Sequence, residues 1–283
     1  MTRGPAQWDR DALLTNPAFE SLWPVIALCP SGRFPQAGDL SELAQARGVA
    51  SGGGAALWFV SGGNAAPGPS YEVRIYRDGE VPTRPDNFHD FFNALAWLVF
   101  PKTKALLNRM HYEYMMARRS EARQGTARTD AGSRGTARDV LTLFDESGAI
   151  VACSEPELEG LLRGFEWKTL FWTRRADVRR AMRFFLFGHA IHEKALRPYK
   201  GITARALVFL VSPAYPGMSL DARLAQADRW VADYFAQPQA LDSTHALAPL
   251  PILGVPGWEA ANERESFYDD VSVFRPGRAA IPK

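Results

Sequence analysis

Polar side chains crowd the start of an otherwise apolar stretch, DNFHDFFNALAW, residues 86–97. On a helix, His89 and Asn93 stand at i and i+4 and share a face, with Asp90 beside them. Phe91, Phe92, Leu95, Trp97 and Leu98 fill most of the remaining circumference. Asn87 has a structural use as a cap, and Asp90 favours the positive end of the helix dipole. His89 with Asn93 has no such explanation, because two polar groups facing an interior cost free energy unless they are paired. His89, Asp90 and Asn93 are therefore candidate catalytic residues, with Asn87 at the lip of a binding site. The chemistry open to them is general acid–base work or metal ligation by an imidazole that a carboxylate orients.

A further stretch, FGHAIHEKALRPYKG, repeats the theme with His189 and Glu193 one helical turn apart. Lys194 adjoins them as a candidate for binding an anion. The acidic residue follows the second histidine, His192, so the HExxH pattern of zinc peptidases is absent. Gly188-His189 after an apolar run has the outline of a nucleophile elbow, but no Ser or Cys occupies the turn, which removes a serine-hydrolase reading. Asn108 and His111, three residues apart on the next helical segment, can face the first helix if the chain folds back at Pro101. In RDVLTLFDES, Arg138 and Asp139 stand at the entrance to what reads as a strand, Arg138 as an anion-binding residue and Asp139 as a catalytic carboxylate. Asp145-Glu146-Ser147-Gly148 reads as a hairpin turn.

One charged stretch points elsewhere. Arg118, Arg119, Arg123, Arg128, Arg134 and Arg138 face only Glu121 and Asp130, a local excess of +4 on a chain of net charge +2. A basic loop of this kind can contact RNA or a nucleotide phosphate. No phosphate-cradling glycine motif or RNA-binding signature accompanies it, and the overall charge gives a nucleic-acid partner no support. A scaffold in which every polar pair is structural is the third reading.

Positioning these groups falls to a mixture of helices and strands. Residues 16–47 read as two short helical pieces around the CPSGRFP turn, and Ala55–Val60 as a buried strand. Tyr71, Val73 and Ile75 alternate with polar residues, which predicts a strand ending in a hairpin-type turn at Asp78-Gly79. Helices are expected from Asn87 to Phe100 and onward from Pro101. VLTLFDESGAIVACS reads as two short strands, and RFFLFGHAIHEKAL as a strand ending at Gly188 followed by a helix, or as one helix. ARALVFLVS reads as a buried strand, and LDARLAQADRWVADYFAQ is amphipathic through Leu220, Leu224, Ala227, Val231 and Tyr234. The expectation is an α+β fold: one domain, 1–283, of several helices on a small mixed or antiparallel sheet, with a mobile basic loop at 120–136 and a Pro-rich wrapping tail at 237–283.

Composition agrees with a soluble protein. The 283 residues are 46% hydrophobic and 23% charged, ordinary values for a globular chain. Cys29 and Cys153 have no paired-thiol spacing, so a disulfide framework and a thiolate zinc site are both disfavoured. The N-terminus lacks a signal-peptide apolar core, and no run of about 18 apolar residues exists. The expectation is a cytoplasmic location without a membrane partner.

Several segments together, among them YEVRIYRDGEVPTRPDNFHDFFNALAWLVFPKTKALLN, RDVLTLFDESGAIVACS and FWTRRADVRRAMRFFLFGHAIHEKALRPYKGITARAL, resemble the bacterial family known as domain of unknown function 3025. The resemblance runs from about Pro24 to Pro276. It implies a single-domain bacterial protein and carries no activity with it. The family's N-W-H-D pattern is met by Asn87, His89 and Asp90, with Phe88 in place of the indole. Its F-G-H and E-K elements are met by Phe187, Gly188, His189, Glu193 and Lys194, whereas His192 lies outside the pattern. The functional expectation is an enzyme with a His/Asp/Glu site that hydrolyses an anionic small molecule, a divalent metal being a cofactor such a site accepts.

Overall fold

The computed structural model describes residues 7–62, 70–123 and 133–276. Its centre is a four-stranded mixed sheet. The strands β3 (Gly148–Cys153), β4 (Met182–Leu186), β5 (Thr203–Leu210) and β6 (Ala248–Pro251) lie in the order β4-β3-β5-β6. β3 runs antiparallel to β4 and parallel to β5, and β6 closes the edge antiparallel to β5. A smaller parallel pair, β1 (Trp58–Ser61) and β2 (Glu80–Thr83), lies in a second sheet.

Every residue of β3 is buried, so both faces of the strand are covered. Alternation along the strands sorts the core into two parts. Ala149, Val151 and Cys153 join Leu186, Phe184 and Ala204 in one cluster, whereas Ile150, Phe185 and Leu207 belong to the other. The first cluster includes the N-terminal helices α1 (Arg10–Thr15), α2 (Trp23–Ile26) and α3 (Ala37–Ala46), α5 (Phe88–Val99), and the apolar faces of α8 (Pro156–Arg163) and α9 (Arg175–Ala181). The other is built from α6 (Pro101–Arg123), α7 (Ser133–Ser147) and α11 (Leu220–Phe235). Phe144 anchors that side between Phe187 and Phe235, at ring separations of 4.8 and 5.1 Å. No helix among the described residues is long and apolar enough to cross a membrane.

Two local expectations are corrected. Tyr71–Asp78 is a helix, α4, not a strand. Ser70 precedes it in extended conformation, Glu72 sits in its first turn, Arg77 in its last, and Gly79 ends it at φ +71°. Those are start and stop signals of a helix, and they outweigh the alternation of Val73 and Ile75, both of which the helix buries. Residues 140–147 belong to helix α7, so Asp145 and Glu146 lie in its last turn and not in a hairpin. Within 120–136, residues 120–123 end α6 and 133–136 begin α7, while 124–132 lie outside the described residues. From 238 the tail supplies β6 and a series of 3-10 turns as far as Asp269, and residues 277–283 lie outside the described residues. Of the two readings of RFFLFGHAIHEKAL, the structure takes strand then helix, β4 followed by α10 (His189–Ala195).

His192 on α10 is fully buried, packed on Phe19 and Phe92 at 5.9 and 5.5 Å. Its Nδ1 lies 2.7 Å from the Gly188 carbonyl, so Nδ1 carries the proton and donates it. Burial, opposed by that carbonyl and reinforced by His189, brings its pKa down from 6.5 to about 3. The unfolded chain therefore takes up a proton that the folded chain refuses between those values, and stability falls as pH drops through that window. At about 1.4 kcal/mol per pH unit, this one residue accounts for a loss of roughly 3–5 kcal/mol on acidification from 6.5 to 3. Urea unfolding midpoints taken across pH 4–7 should fall less steeply in His192→Phe than in the parent chain.

Candidate functional site

The register of β3 against β4 sets the geometry of the site. Ala149 pairs with Leu186 in antiparallel alignment. Glu146 stands three residues before Ala149 and His189 three after Leu186, so the pairing delivers both to one end of the sheet. The chain ends meet closely there. The Gly148 carbonyl accepts the backbone N–H of both Phe187 and Gly188, at 2.9 and 3.0 Å. A Cβ on Gly188 would sit 2.4 Å from the Glu146 carbonyl oxygen, a distance no side chain can adopt. Glycine is thus required for α10 to start against the end of α7.

α5 supplies the opposing residues. Asn87 caps it, its side chain accepting the Asp90 N–H at 2.9 Å, and His89 follows in the first turn. The His89 ring stands edge-on to that of His189 with centroids 4.4 Å apart, and His89 Nδ1 lies 3.0 Å from Glu193 Oε2. His189 is 7% exposed. Its Nε2 is 3.5 Å from Glu146 Oε1 and its Nδ1 3.9 Å from Asp145 Oδ2, the latter too far for a hydrogen bond, leaving Nδ1 without a partner. Each imidazole therefore has a carboxylate on its Nδ1 side. One donor atom from each of His89, His189 and Glu146 falls within 4.8 Å of the others, a group that could hold a metal ion. His189 beside Glu146 holds that carboxyl below its usual pKa, against the opposing effect of burial.

Behind these residues lies a buried ammonium. Lys104, on α6, is 4% exposed. Its Nζ donates to Asn93 Oδ1 at 3.0 Å and to Asp145 Oδ1 at 2.6 Å, and lies 5.5 Å from the centre of the Trp97 ring. Burial pushes the Asp145 carboxyl up, but Lys104 and then His189 outweigh it, and the group remains below its ordinary pKa. The lysine also settles the Asn93 amide. An ammonium can only donate, so the oxygen of Asn93 faces Lys104 and its Nδ2 faces Tyr71, donating to the phenol oxygen at 2.7 Å. The Tyr71 hydroxyl is then an acceptor on that side with its own proton free to donate. Burial, with Glu72 and Asp145 nearby, keeps it protonated well above the usual range.

Most of these groups border one cavity of about 660 Å³, with Lys104 behind its wall. His89, Asp90, Asn93, His111, Arg138 and His189 line it, together with Tyr71, Arg84, Tyr114, Arg118, Asp145 and Glu146. Of the sequence candidates, Asp90 is committed to Arg84, accepting from its backbone N–H, Nε and Nη2 at 2.8 Å each. Glu193 reaches the site through His89. Asn108 joins the Gly52 N–H to the Glu72 carboxylate and carbonyl and does not line this cavity. Asp139 and Lys194 are exposed and do not line the cavity. Two arginines of the basic stretch, Arg118 and Arg138, do line it, and neither has a carboxylate within ion-pair distance among the described residues.

Sequence reading missed Tyr71, Lys104, Asp145 and Glu146. Tyr71 was hidden by the strand-like alternation around it, and Lys104 is indistinguishable by spacing from any other helical lysine. The acidic pair did leave a signal. Carboxylates in the last turn of a helix oppose its dipole, an arrangement that needs a cation or a function to explain it.

Replacing Lys104 with Met should leave Asp145 without its cation and destabilise the protein by about 3 kcal/mol, the low end expected for breaking a mostly buried pair. Asp145→Asn in that background should recover part of the loss. A double-mutant cycle by chemical denaturation measures the coupling, and additive effects would mean the pair contributes nothing.

No curated protein and no solved structure matches the chain. A family model described as protein of unknown function (DUF3025) matches residues 57–278, a span that includes every cavity-lining residue named above. The chain belongs to the DUF3025 family.

Proposed function

We propose that this protein is an enzyme that hydrolyses a small anionic ester, with phosphate esters as the leading substrate class. The observation that carries the reading is the edge-to-face pair His89 and His189, each with a carboxylate on its Nδ1 side, on the wall of a cavity that also presents two arginines with no carboxylate within ion-pair distance among the described residues. Arg118 and Arg138 come from different helices, α6 and α7, and a guanidinium pair suits an oxyanion with several acceptor oxygens. The volume of about 660 Å³ fits a metabolite-sized ligand.

In the proposed reaction the histidine–carboxylate group draws a proton from a water molecule. The water oxygen forms a bond to phosphorus as the bond to the leaving oxygen breaks. Tyr71 supplies its free hydroxyl proton to that leaving oxygen and recovers one from solvent, while the histidine–carboxylate group gives its proton up to solvent. The sum is one water consumed, with an acid and an alcohol released. Lys104 and Asn93 act through their neighbours as positioning residues: one fixes Asp145, the other orients the Tyr71 oxygen. The placement of Arg118 and Arg138 on the cavity wall favours this reading over a nucleic-acid interface, since it sets part of the basic stretch beside a cavity of metabolite size.

Turnover of chromogenic phosphate monoesters, phosphodiesters and carboxyl esters tests the proposal, with divalent salts added or withheld. Loss of one charge-assisted contact is worth about 1.5–3 kcal/mol, so Arg118→Ala and Arg138→Ala should each raise KM roughly 10–100-fold. Tyr71→Phe should lower kcat by a similar factor and spare KM. No hydrolysis of any ester by the parent protein, or hydrolysis indifferent to all three substitutions, would overturn the reading.

A further inference from the structure

We infer that His89, His189 and Glu146 form a centre for one divalent first-row cation, zinc foremost, with open coordination positions facing the cavity. This deepens the hydrolytic reading above by naming the agent that activates water, and it rests on that reading for its purpose but not for its detection.

The donor set comes first. Two imidazole nitrogens and a carboxylate oxygen are a recurring set for catalytic zinc, which keeps its remaining position for water or substrate. Donors that share a zinc at about 2.1 Å stand about 3.4 Å apart in tetrahedral geometry. His189 Nε2 and Glu146 Oε1 are already at 3.5 Å, long for a hydrogen bond and apt for two ligands of one ion. The widest spacing in the group is within 4.8 Å, so side-chain closure of at most about 1.4 Å brings it to the tetrahedral spacing. The freedom for that lies with His89 and Glu146, whose side chains are 33% and 41% exposed, while His189 at 8% is the fixed member.

Independent support comes from the far nitrogens. Glu193 holds His89 Nδ1 at 3.0 Å, leaving Nε2 as its ligand atom. The buried Nδ1 of His189 has no hydrogen-bond partner, and Asp145 waits 3.9 Å away, itself held by Lys104. Metal-bound imidazoles commonly place their other N–H on a carboxylate, which fixes the ring and raises its basicity. His89 has such a carboxylate within hydrogen-bond reach and His189 has one 3.9 Å from its Nδ1, and in each ring Nε2 is the nitrogen left for an ion.

Charge is the third. Around the cavity Asp90 is neutralised by Arg84 and Asp145 by Lys104. Glu146 and Glu193 have only histidines within ion-pair distance among the described residues. A dication supplies the charge that those two carboxylates lack. Thiolates take no part, since Cys29 and Cys153 are buried elsewhere in the core and outside the cavity. That favours an ion content with N and O ligands alone.

The test is calorimetric titration of chelator-treated full-length protein with zinc chloride and, separately, manganese chloride, backed by elemental analysis of the protein as purified. One ion per chain is expected, with a rise in Tm on addition. Glu146→Gln and His89→Gln, at part-exposed positions that the fold tolerates, should each weaken binding at least tenfold; His189→Ala should abolish it, with circular dichroism to check its fold. Asp221→Asn, on α11 outside the cavity, should bind as the parent does. A stoichiometry near zero, or affinity unchanged in both Glu146→Gln and His89→Gln, overturns the inference. Stoichiometric, site-dependent binding without ester turnover leaves the centre standing and removes the hydrolytic reading; turnover by metal-free protein does the opposite.

Discussion

An ammonium buried at 4% exposure has few acceptable surroundings, and the site is arranged around meeting that demand at Lys104. An unpaired charge at this depth would cost several kcal/mol, so Asn93 on α5 and Asp145 on α7 must both come within hydrogen-bond distance of a side chain from α6. Three helices are thereby held in one relative arrangement. Its consequences spread outward: Asn93 has its amide orientation set and passes it to Tyr71, while Asp145 is kept ionised beside His189. Remove the lysine and each of the other groups loses the reason for its position.

The same network explains why the polar residues of DNFHDFFNALAW are tolerated on an apolar helix. Asn87 caps, Asp90 clamps Arg84, Asn93 bridges Lys104 and Tyr71, and His89 is turned to Glu193 on α10. All four polar groups have hydrogen-bond partners, and that of His89 is an exposed carboxylate at the rim. The cavity therefore combines a rigid inner wall, built on Lys104 and His189, with an outer rim of part-exposed groups such as His89 and Glu146 that can still adjust.

How much of this could be read from residues alone follows physical lines. Elements with long-range burial patterns were legible: the capped helix from Asn87, the Pro101 start, the strand ARALVFLVS and the helix of Leu224, Ala227 and Val231. Short elements where two periodicities compete were not. The i, i+2 spacing of Val73 and Ile75 fits a strand, and the decision for a helix lay in Ser70 and Gly79 at the ends. Of the site, the two histidines and Glu193 stood out because their types are rare on apolar faces. Lys104 did not, since its burial depends on partners 11 and 41 residues away, and no local spacing announces that.

The antiparallel pairing of β3 with β4 has one more implication. Glu146 and His189 flank the two strands at equal remove from the Ala149–Leu186 pair, so their meeting is a matter of phase. A single residue inserted in either strand, absorbed as a bulge, could leave the hydrogen-bonded ladder and both cores largely whole. It would nonetheless carry His189 out of step with Glu146. The sheet thus serves as a ruler for the site, and length polymorphism in these strands is a separate axis of variation from stability, one along which the fold can persist while the site is lost.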